Sequence, residues 1–277
     1  KADGSTEYNE LSFLILDVFD RLSIPTPKIQ IKTAANTPEP LLNKVFDMIR
    51  RGNNSLVFVS EESIRRTMLG LGFNEEEART CDIYGCYEVV PRGTGNVTAS
   101  GHLNFLKPVE LIFNDGVDPA TQVLCECNAG KLADIHTFPE FYSAYIRYLE
   151  KMLDMLMECS FNNEKYLSII NPAQLYSITI ENSLKTAKDA FHDGSVYNMS
   201  CILDAGFASA VDALMAVKKF VFEKKELTLA EFRDILAANW KGHEKLRLRI
   251  RHSQERFGNG NPEADEYAAA LARFFGN

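Results

Sequence analysis

"KIQIKTAANTPEPLLNKVFDMIRRGNNSLVFVS", residues 28 to 60, decides the fold class. "KIQIKT" reads as a short strand. Thr37 and Pro38 supply an N-cap and a first-turn proline for a helix running through Arg51, and Gly52 stands where a left-handed C-terminal residue is wanted. "SLVFVS" is a β-branched strand, and Ser60 caps a helix in "EESIRRTMLGLG" whose two glutamates suit the positive end of the helix dipole. Strand, helix, strand and helix thus follow one another.

The pattern extends outward in both directions. Upstream, Leu11, Leu14, Ile15, Val18 and Leu22 recur at helical spacing, which predicts a helix over residues 6 to 22 closed by the Pro25 and Pro27 segment. Downstream, residues 81 to 101 lack helical and strand periodicity and contain Gly85, Gly93, Gly95 and Gly101, so a strand end and a long loop are expected. "LNFLKPVELIFNDG" reads as a helix kinked at Pro108. Thr137 to Glu158 is the longest apolar-periodic helix, "KYLSIIN" a buried strand, and a further helix starts from Pro172. "SVYNMSCIL" is another strand and "DAGFASAVDALMAVKKFVF" a helix, Thr228 and Glu231 form a capping box, and Asn261 and Pro262 open a final helix. Short apolar strands followed by longer amphipathic helices, without internal repeats or a linker, predict an α/β layered or barrel architecture.

Composition bounds the function classes. With 45% hydrophobic and 25% charged residues, the 277-residue chain has an ordinary globular make-up, long enough for one sizeable core. A formal net charge of -8 argues against nucleic acid as a partner, since phosphate binding needs a basic stripe. The basic run "KLRLRIRHSQER" (245 to 256) alternates with Leu and Ile and reads as a solvated helix face. No apolar run approaches the roughly 18 to 20 residues of a membrane span, so no membrane partner is expected and the chain reads as soluble. No secretory leader is visible, and six cysteines are too sparse for a disulfide framework; free thiols in a reducing cytoplasm are expected, which leaves the sequons at Asn53, Asn96 and Asn198 without weight.

"CDIYGCYEVVPRGTG", residues 81 to 95, carries the chemistry. Cys86 after a glycine is, by itself, more readily a small buried side chain than a nucleophile. Glu88 changes that balance, because a carboxylate is rarely buried without a partner. In an extended segment residues two apart project to one side, roughly 6.5 to 7 Å apart along the chain, so a thiol and a carboxylate would address adjacent atoms of one small substrate. A Cys-His hydrolase needs a base beside the sulfur, and His102, His136, His192, His243 and His252 fall in no pattern that designates one. Cys125 and Cys127 lack a second pair or histidines at ligand spacing, so no metal site is expected. "GTG" at 93 to 95 lacks the third glycine of a dinucleotide fingerprint. Tyr84 and Tyr87 read as packing aromatics.

These residues resemble the active-site region of the glycyl radical enzymes, the pyruvate formate-lyase superfamily, in which Gly-Cys-x-Glu precedes a loop and an N-x-x-K-x-x-E-x-x-x-N-D-G-like helix. Here Asn104, Lys107, Glu110, Asn114, Asp115 and Gly116 meet that spacing. "NELSFLILDVFDRLSIPTPKIQIK", "GSVYNMSCILDAGFASAVDALMAVKKFVF" and "RFGNGNPEADEYAAALARFF" extend the similarity in colinear order over nearly the whole chain. The resemblance implies that residues 1–277 form a single partial domain of a ten-stranded α/β barrel, with 81–101 as an inward finger loop and 228–277 leading toward a glycyl radical domain. It implies that Cys86 carries a thiyl radical and that Glu88 is the general base of a lyase or dehydratase acting on a small-molecule substrate. A cysteine pair, as in the formate-lyases proper, is absent because Gly85 and Tyr87 flank Cys86. Tyr87, Glu88 and Val89 replace the Val-Glu-Pro of many dehydratases, which leaves the substrate open.

The family's C-terminal R-V-x-G-Y radical segment and the N-terminal part of its barrel are not matched, so a core portion of a longer polypeptide is implied, inactive by itself. No cofactor is expected on this chain. The parent would be a homodimer carrying a protein glycyl radical and activated by a radical S-adenosylmethionine enzyme. A formate C-acetyltransferase, an arylacetate decarboxylase and a non-catalytic binding or assembly role stand as alternatives.

Overall fold

The computed structural model describes residues 7–85 and 88–276, and its α/β content follows the strand and helix alternation of the sequence. Two units emerge: the described residues of Lys1–Thr98 with Asn163–Cys201, and those of Ala99–Asn162 with Ile202–Asn277.

In the first unit, α1 (Glu10–Leu22) starts later than the periodicity suggested, because Asn9 caps it. The Asn9 side chain accepts from the Ser12 N–H while the Ser12 hydroxyl accepts from the Asn9 N–H, so the chain enters the helix there. Strands β1 (Ile29–Thr33) and β2 (Leu56–Ser60) pair in parallel, Ile29 opposite Leu56 through Thr33 opposite Ser60, and α2 (Glu39–Arg50) connects them. Thr37 does not cap α2. Its hydroxyl accepts from the Ala34 N–H at 2.8 Å, and the helix begins after Pro38 with Pro40 in its first turn. Gly52 is left-handed (φ 91°), as expected past a helix end. Leu41, Val45 and Met48 lie on one face of α2 and are fully buried against Leu16 and Ile31.

Ser60 caps α3 (Glu61–Gly70), and Asn74 with Glu77 forms a capping box on α4 (Glu75–Thr80). Both helices contribute to a second cluster of Val59, Ile64, Met68, Ala78 and Cys81.

The described residues of 81–101 are not a long loop. They form an antiparallel hairpin of β3 (Cys81–Tyr84) and β4 (Glu88–Pro91), followed by a ten-residue strand, β5 (Gly95–Asn104). The missing periodicity has a physical cause: a polar side chain at a buried strand position is satisfied from the neighbouring strand. Asn96, 1% exposed, donates through Nδ2 to Asn198 Oδ1 at 2.9 Å on β6 (Tyr197–Ala205), the strand with which β5 pairs.

Three further expectations shift. "LNFLKPVELIFNDG" is not one kinked helix, since Leu103 and Asn104 finish β5 and α5 (Lys107–Phe113) begins with Pro108 in its first turn, where the missing N–H costs no helical bond. "KYLSIIN" is not a buried strand. It prolongs α6 (Phe138–Ile170) with Ile169 and Ile170 75% and 79% exposed, because a helix already nucleated gains a hydrogen bond with each residue it adds. The helix expected from Pro172 is the single turn α7 (Gln174–Ser177), followed by α8 (Glu181–Thr186).

The second unit is built from the end of β5, α5, the first part of α6, α9 (Phe207–Val217), α10 (Leu229–Ala237), α11 (Glu244–Arg251) and α12 (Pro262–Gly276). The expected Thr228 and Glu231 capping box opens α10. Phe105, Phe141, Tyr145, Leu149, Val211, Leu214 and Leu271 form the centre of its core. Tyr145 is fully buried, and its hydroxyl donates to the Phe105 carbonyl at 2.8 Å. The basic α11 buries no residue, in keeping with a solvated helix face, and stops at Arg251. Among the described residues no helix is long and apolar enough to cross a membrane, and Cys81, Cys125, Cys127, Cys159 and Cys201 are free thiols.

Two substitutions test these cores by denaturant unfolding. Leu41→Ala deletes a wholly buried side chain and is expected to cost about 2–5 kcal/mol. Tyr145→Phe keeps the ring but strands the buried Phe105 carbonyl, with an expected loss of about 1–3 kcal/mol.

Candidate active site

The hairpin carrying the Gly-Cys-x-Glu stretch is held at its base by charge. Lys32 of β1 donates from Nζ to the Cys81 carbonyl and to Asp82 Oδ1, both at 3.0 Å, and Arg92 Nε donates to Asp82 Oδ2 at 3.0 Å. Partial burial alone would raise the Asp82 carboxyl, but the bonds from Arg92 and Lys32 outweigh it and hold the group below its ordinary value. Burial pushes the Cys81 thiol up to about 11, which leaves it a packed, protonated side chain whose Sγ donates to the Glu77 carbonyl at 3.3 Å. Asp82 and Cys81 are therefore structural.

The closed end of the hairpin is different. Tyr84 pairs with Glu88, and Gly85 follows Tyr84 in the left-handed region at φ 64°. Gln30 of β1 donates from Nε2 to the Gly85 carbonyl at 2.9 Å. Glu88, only 9% exposed, folds its carboxylate over Gly85: a Cβ at residue 85 would stand 2.5 Å from Glu88 Oε2. Glycine suits the position for its backbone angle, and the carboxylate occupies the space a Cβ would take. Glu88 also acts on β6, since burial raises the Cys201 thiol and the Glu88 charge raises it further. Tyr84 leaves the strand toward Tyr176, ring centroids 6.4 Å apart, and Tyr176 in turn meets Phe191 at 5.9 Å.

Of the two residues singled out by the sequence, Glu88 is a buried carboxylate at a strand start, and Cys86 lies outside the described residues, as does Tyr87. Gln30, Lys32 and Cys201 were not anticipated. The only sequence signal for the first two is that they alternate with Ile29 and Ile31 in a five-residue strand, which places them together on the face away from the core.

The downstream motif serves architecture in the second unit. Asn104 Oδ1 accepts from the Leu106 N–H at 3.0 Å, and Lys107 bridges Glu110 and Asp118. Asn114 Nδ2 donates to the Glu110 carbonyl at 2.8 Å, and Asp115 Oδ1 accepts from the Leu132 N–H at 2.7 Å. Gly116 is left-handed at φ 88°, with Tyr148 Oη 2.9 Å from where a Cβ would sit. These residues build α5 and the turn that leaves it.

A cavity of about 760 Å³ in this unit is lined by Phe113, Phe232, Trp240 and neighbours, and its acids are already engaged, Glu110 with Lys107 and Asp212 with Arg256. It offers no thiol. Among the described residues no cluster of three or more His, Cys, Asp or Glu is arranged to hold a metal ion.

Known proteins are similar to this chain in sequence and in fold. The trans-4-hydroxy-L-proline dehydratase of Clostridioides difficile is 27% identical over 264 residues, covering 95% of this chain and 34% of the dehydratase. The (2S)-3-sulfopropanediol dehydratase of Klebsiella oxytoca is 27% identical over 276 residues, 98% of this chain and 33% of its own length. The crystal structure of the Clostridioides difficile hydroxyproline dehydratase with trans-4-hydroxy-L-proline bound matches at a TM-score of 0.84 and 27% identity, over 99% of this chain and 35% of that one. The chain accordingly spans about a third of the length of the relatives it matches. The sequence pattern of the family described as pyruvate formate lyase-like matches residues 1–277, and the chain belongs to that family.

Proposed function

We propose that this chain is the catalytic-core portion of a glycyl radical lyase or dehydratase, with Cys86 as hydrogen-atom carrier and Glu88 as general base. The observation that carries the reading is the Glu88 carboxylate, buried at the closed end of the β3–β4 hairpin and seated over Gly85, two residues along the chain from Cys86. A carboxylate buried two residues along the chain from a thiol is a candidate for acid–base chemistry on what that thiol touches. Membership of a family whose matched relatives include dehydratases supports the same reading.

The glycyl radical segment of the parent would supply the unpaired electron. The Cys86 sulfur then takes a hydrogen atom from a substrate carbon, so that an S–H bond forms, a C–H bond breaks and the odd electron passes to carbon. An S–H bond is close in strength to an activated C–H bond, which lets this transfer run in either direction. Glu88 takes the proton of a hydroxyl beside the radical centre while the neighbouring group leaves with its bonding pair. Passage of the Glu88 proton to the departing group restores the carboxylate, and return of the hydrogen atom from Cys86 to the product radical restores the thiyl and closes the cycle. Each step needs the thiol and the carboxylate on the same small molecule, which their separation of two residues in the chain allows.

In this reading residues 1–277 are one part of a ten-stranded α/β barrel, with 81–101 as its finger and 228–277 leading to the glycyl radical domain. The parent works in the cytoplasm as a homodimer, without a further cofactor on this chain, and is activated by a radical S-adenosylmethionine enzyme.

The test uses the full-length parent, activated and supplied with small hydroxylated compounds that include trans-4-hydroxy-L-proline and (2S)-3-sulfopropanediol. Cys86→Ala is expected to abolish product formation, and Glu88→Gln to lower kcat by about 10²–10⁴ with the glycyl radical still formed. Turnover surviving Cys86→Ala, or unchanged in Glu88→Gln, would remove the assignment.

A further inference from the structure

We infer that Gln30 is a positioning residue: through its bond to the Gly85 carbonyl it fixes the closed end of the hairpin relative to β1, and with it the segment from which Cys86 and Glu88 act. The inference rests on the reading of Cys86 and Glu88 proposed above.

A hairpin of two four-residue strands is marginal alone, and Gly85 at its end has more conformational freedom than any other residue. Something outside the hairpin has to select one arrangement. Strand β1 is suited to that task because it is itself immobilised on several sides. It is paired along its full length with β2, Ile31 is 3% exposed in the core, and the Tyr8 hydroxyl donates to the Lys32 carbonyl at 2.7 Å. Alternation then turns Gln30 and Lys32 to the other face together. Lys32 grips the base of β3 at the Cys81 carbonyl and Asp82, and Gln30 grips its end at the Gly85 carbonyl. Two fixed points on one rigid strand determine where the hairpin ends as well as where it starts.

The chemistry of the two grips also differs. The base is held by an ammonium, which Asp82 answers. At the end the donor is a neutral amide, although a lysine would make the same bond to a carbonyl. Glu88 Oε2 lies where a Cβ of residue 85 would stand, so a cation bonded to the carbonyl of the same residue would add positive charge near the carboxylate and favour its ionised form, weakening it as a base. Glutamine holds the backbone without adding charge.

The experiment compares Gln30→Met, which keeps the length but loses the donor, with Gln30→Lys, which keeps a donor and adds charge, in the full-length parent. kcat is expressed per glycyl radical measured by electron paramagnetic resonance, and hairpin amide exchange is followed by mass spectrometry without substrate. Gln30→Met is expected to speed exchange at the hairpin end while the Cys81 and Asp82 amides stay protected. It should lower kcat per radical about ten- to hundred-fold with KM within about twofold, the scale expected for a catalytic group displaced by about an ångström, and raise the deuterium isotope effect on the abstracted hydrogen. Gln30→Lys should recover protection and much of kcat, with the acid limb of its pH profile moved to lower pH. Wild-type exchange and kcat in Gln30→Met, or a Gln30→Lys pH profile identical to wild type, overturn the inference. If Cys86→Ala is inactive and Gln30→Met is unaffected, only the positioning role fails; if Cys86→Ala turns over, the reading beneath it fails.

Discussion

The left-handed backbone turn at Gly85 is the constraint on which the site depends. Any Cβ there would collide with Glu88 Oε2, and any L-residue there would resist the left-handed angle that brings β3 round to β4. Backbone geometry and site chemistry are therefore set by the same residue. The two carboxylates of the hairpin show the contrast. Asp82 is tied to Lys32 and Arg92, which lower its proton affinity and consign it to structure, whereas the Glu88 carboxylate is folded over Gly85 and its charge raises the Cys201 thiol.

This arrangement is carried by a first unit whose stiffness comes from apolar burial. Leu41, Val45 and Met48 lock α2 under the β1–β2 pair, and the second cluster around Met68 and Cys81 holds α3 and α4 at the root of the hairpin. Each fully buried aliphatic contributes about 1.5–3 kcal/mol, against about 0–1 kcal/mol for exposed ion pairs such as Arg50 with Asp47. Packing, not surface charge, keeps β1 in place, and β1 in turn can serve as a reference for what it touches.

Much of this was legible in the sequence, and the failures have identifiable causes. Helices signalled by a capping side chain and an apolar stripe together, such as α3 and α10, appear where expected. The strands β1 and β2 were readable because they are short β-branched runs bounded by turns. Strand β5 was not, because Asn96 occupies a buried position that its partner Asn198, 102 residues away in sequence, makes acceptable; no local pattern reports a bond of that span. "KYLSIIN" has the apolar make-up of a buried strand, but apolar residues are not always inside, and Ile169 and Ile170 are exposed on the last turns of α6. At the site, Glu88 stood out because of its spacing from Cys86. Gln30 did not, because its role is defined by a carbonyl 55 residues away.

The central claim is that a thiol and a carboxylate from one hairpin meet on one bound molecule. A crystal structure of the full-length parent with substrate bound tests it most directly. The account predicts Cys86 Sγ against the substrate carbon that loses hydrogen, and a Glu88 oxygen within about 2.6–3.2 Å of a substrate hydroxyl on the same molecule. Side chains of 86 and 88 directed into separate surroundings, with substrate bound beside neither, would contradict it.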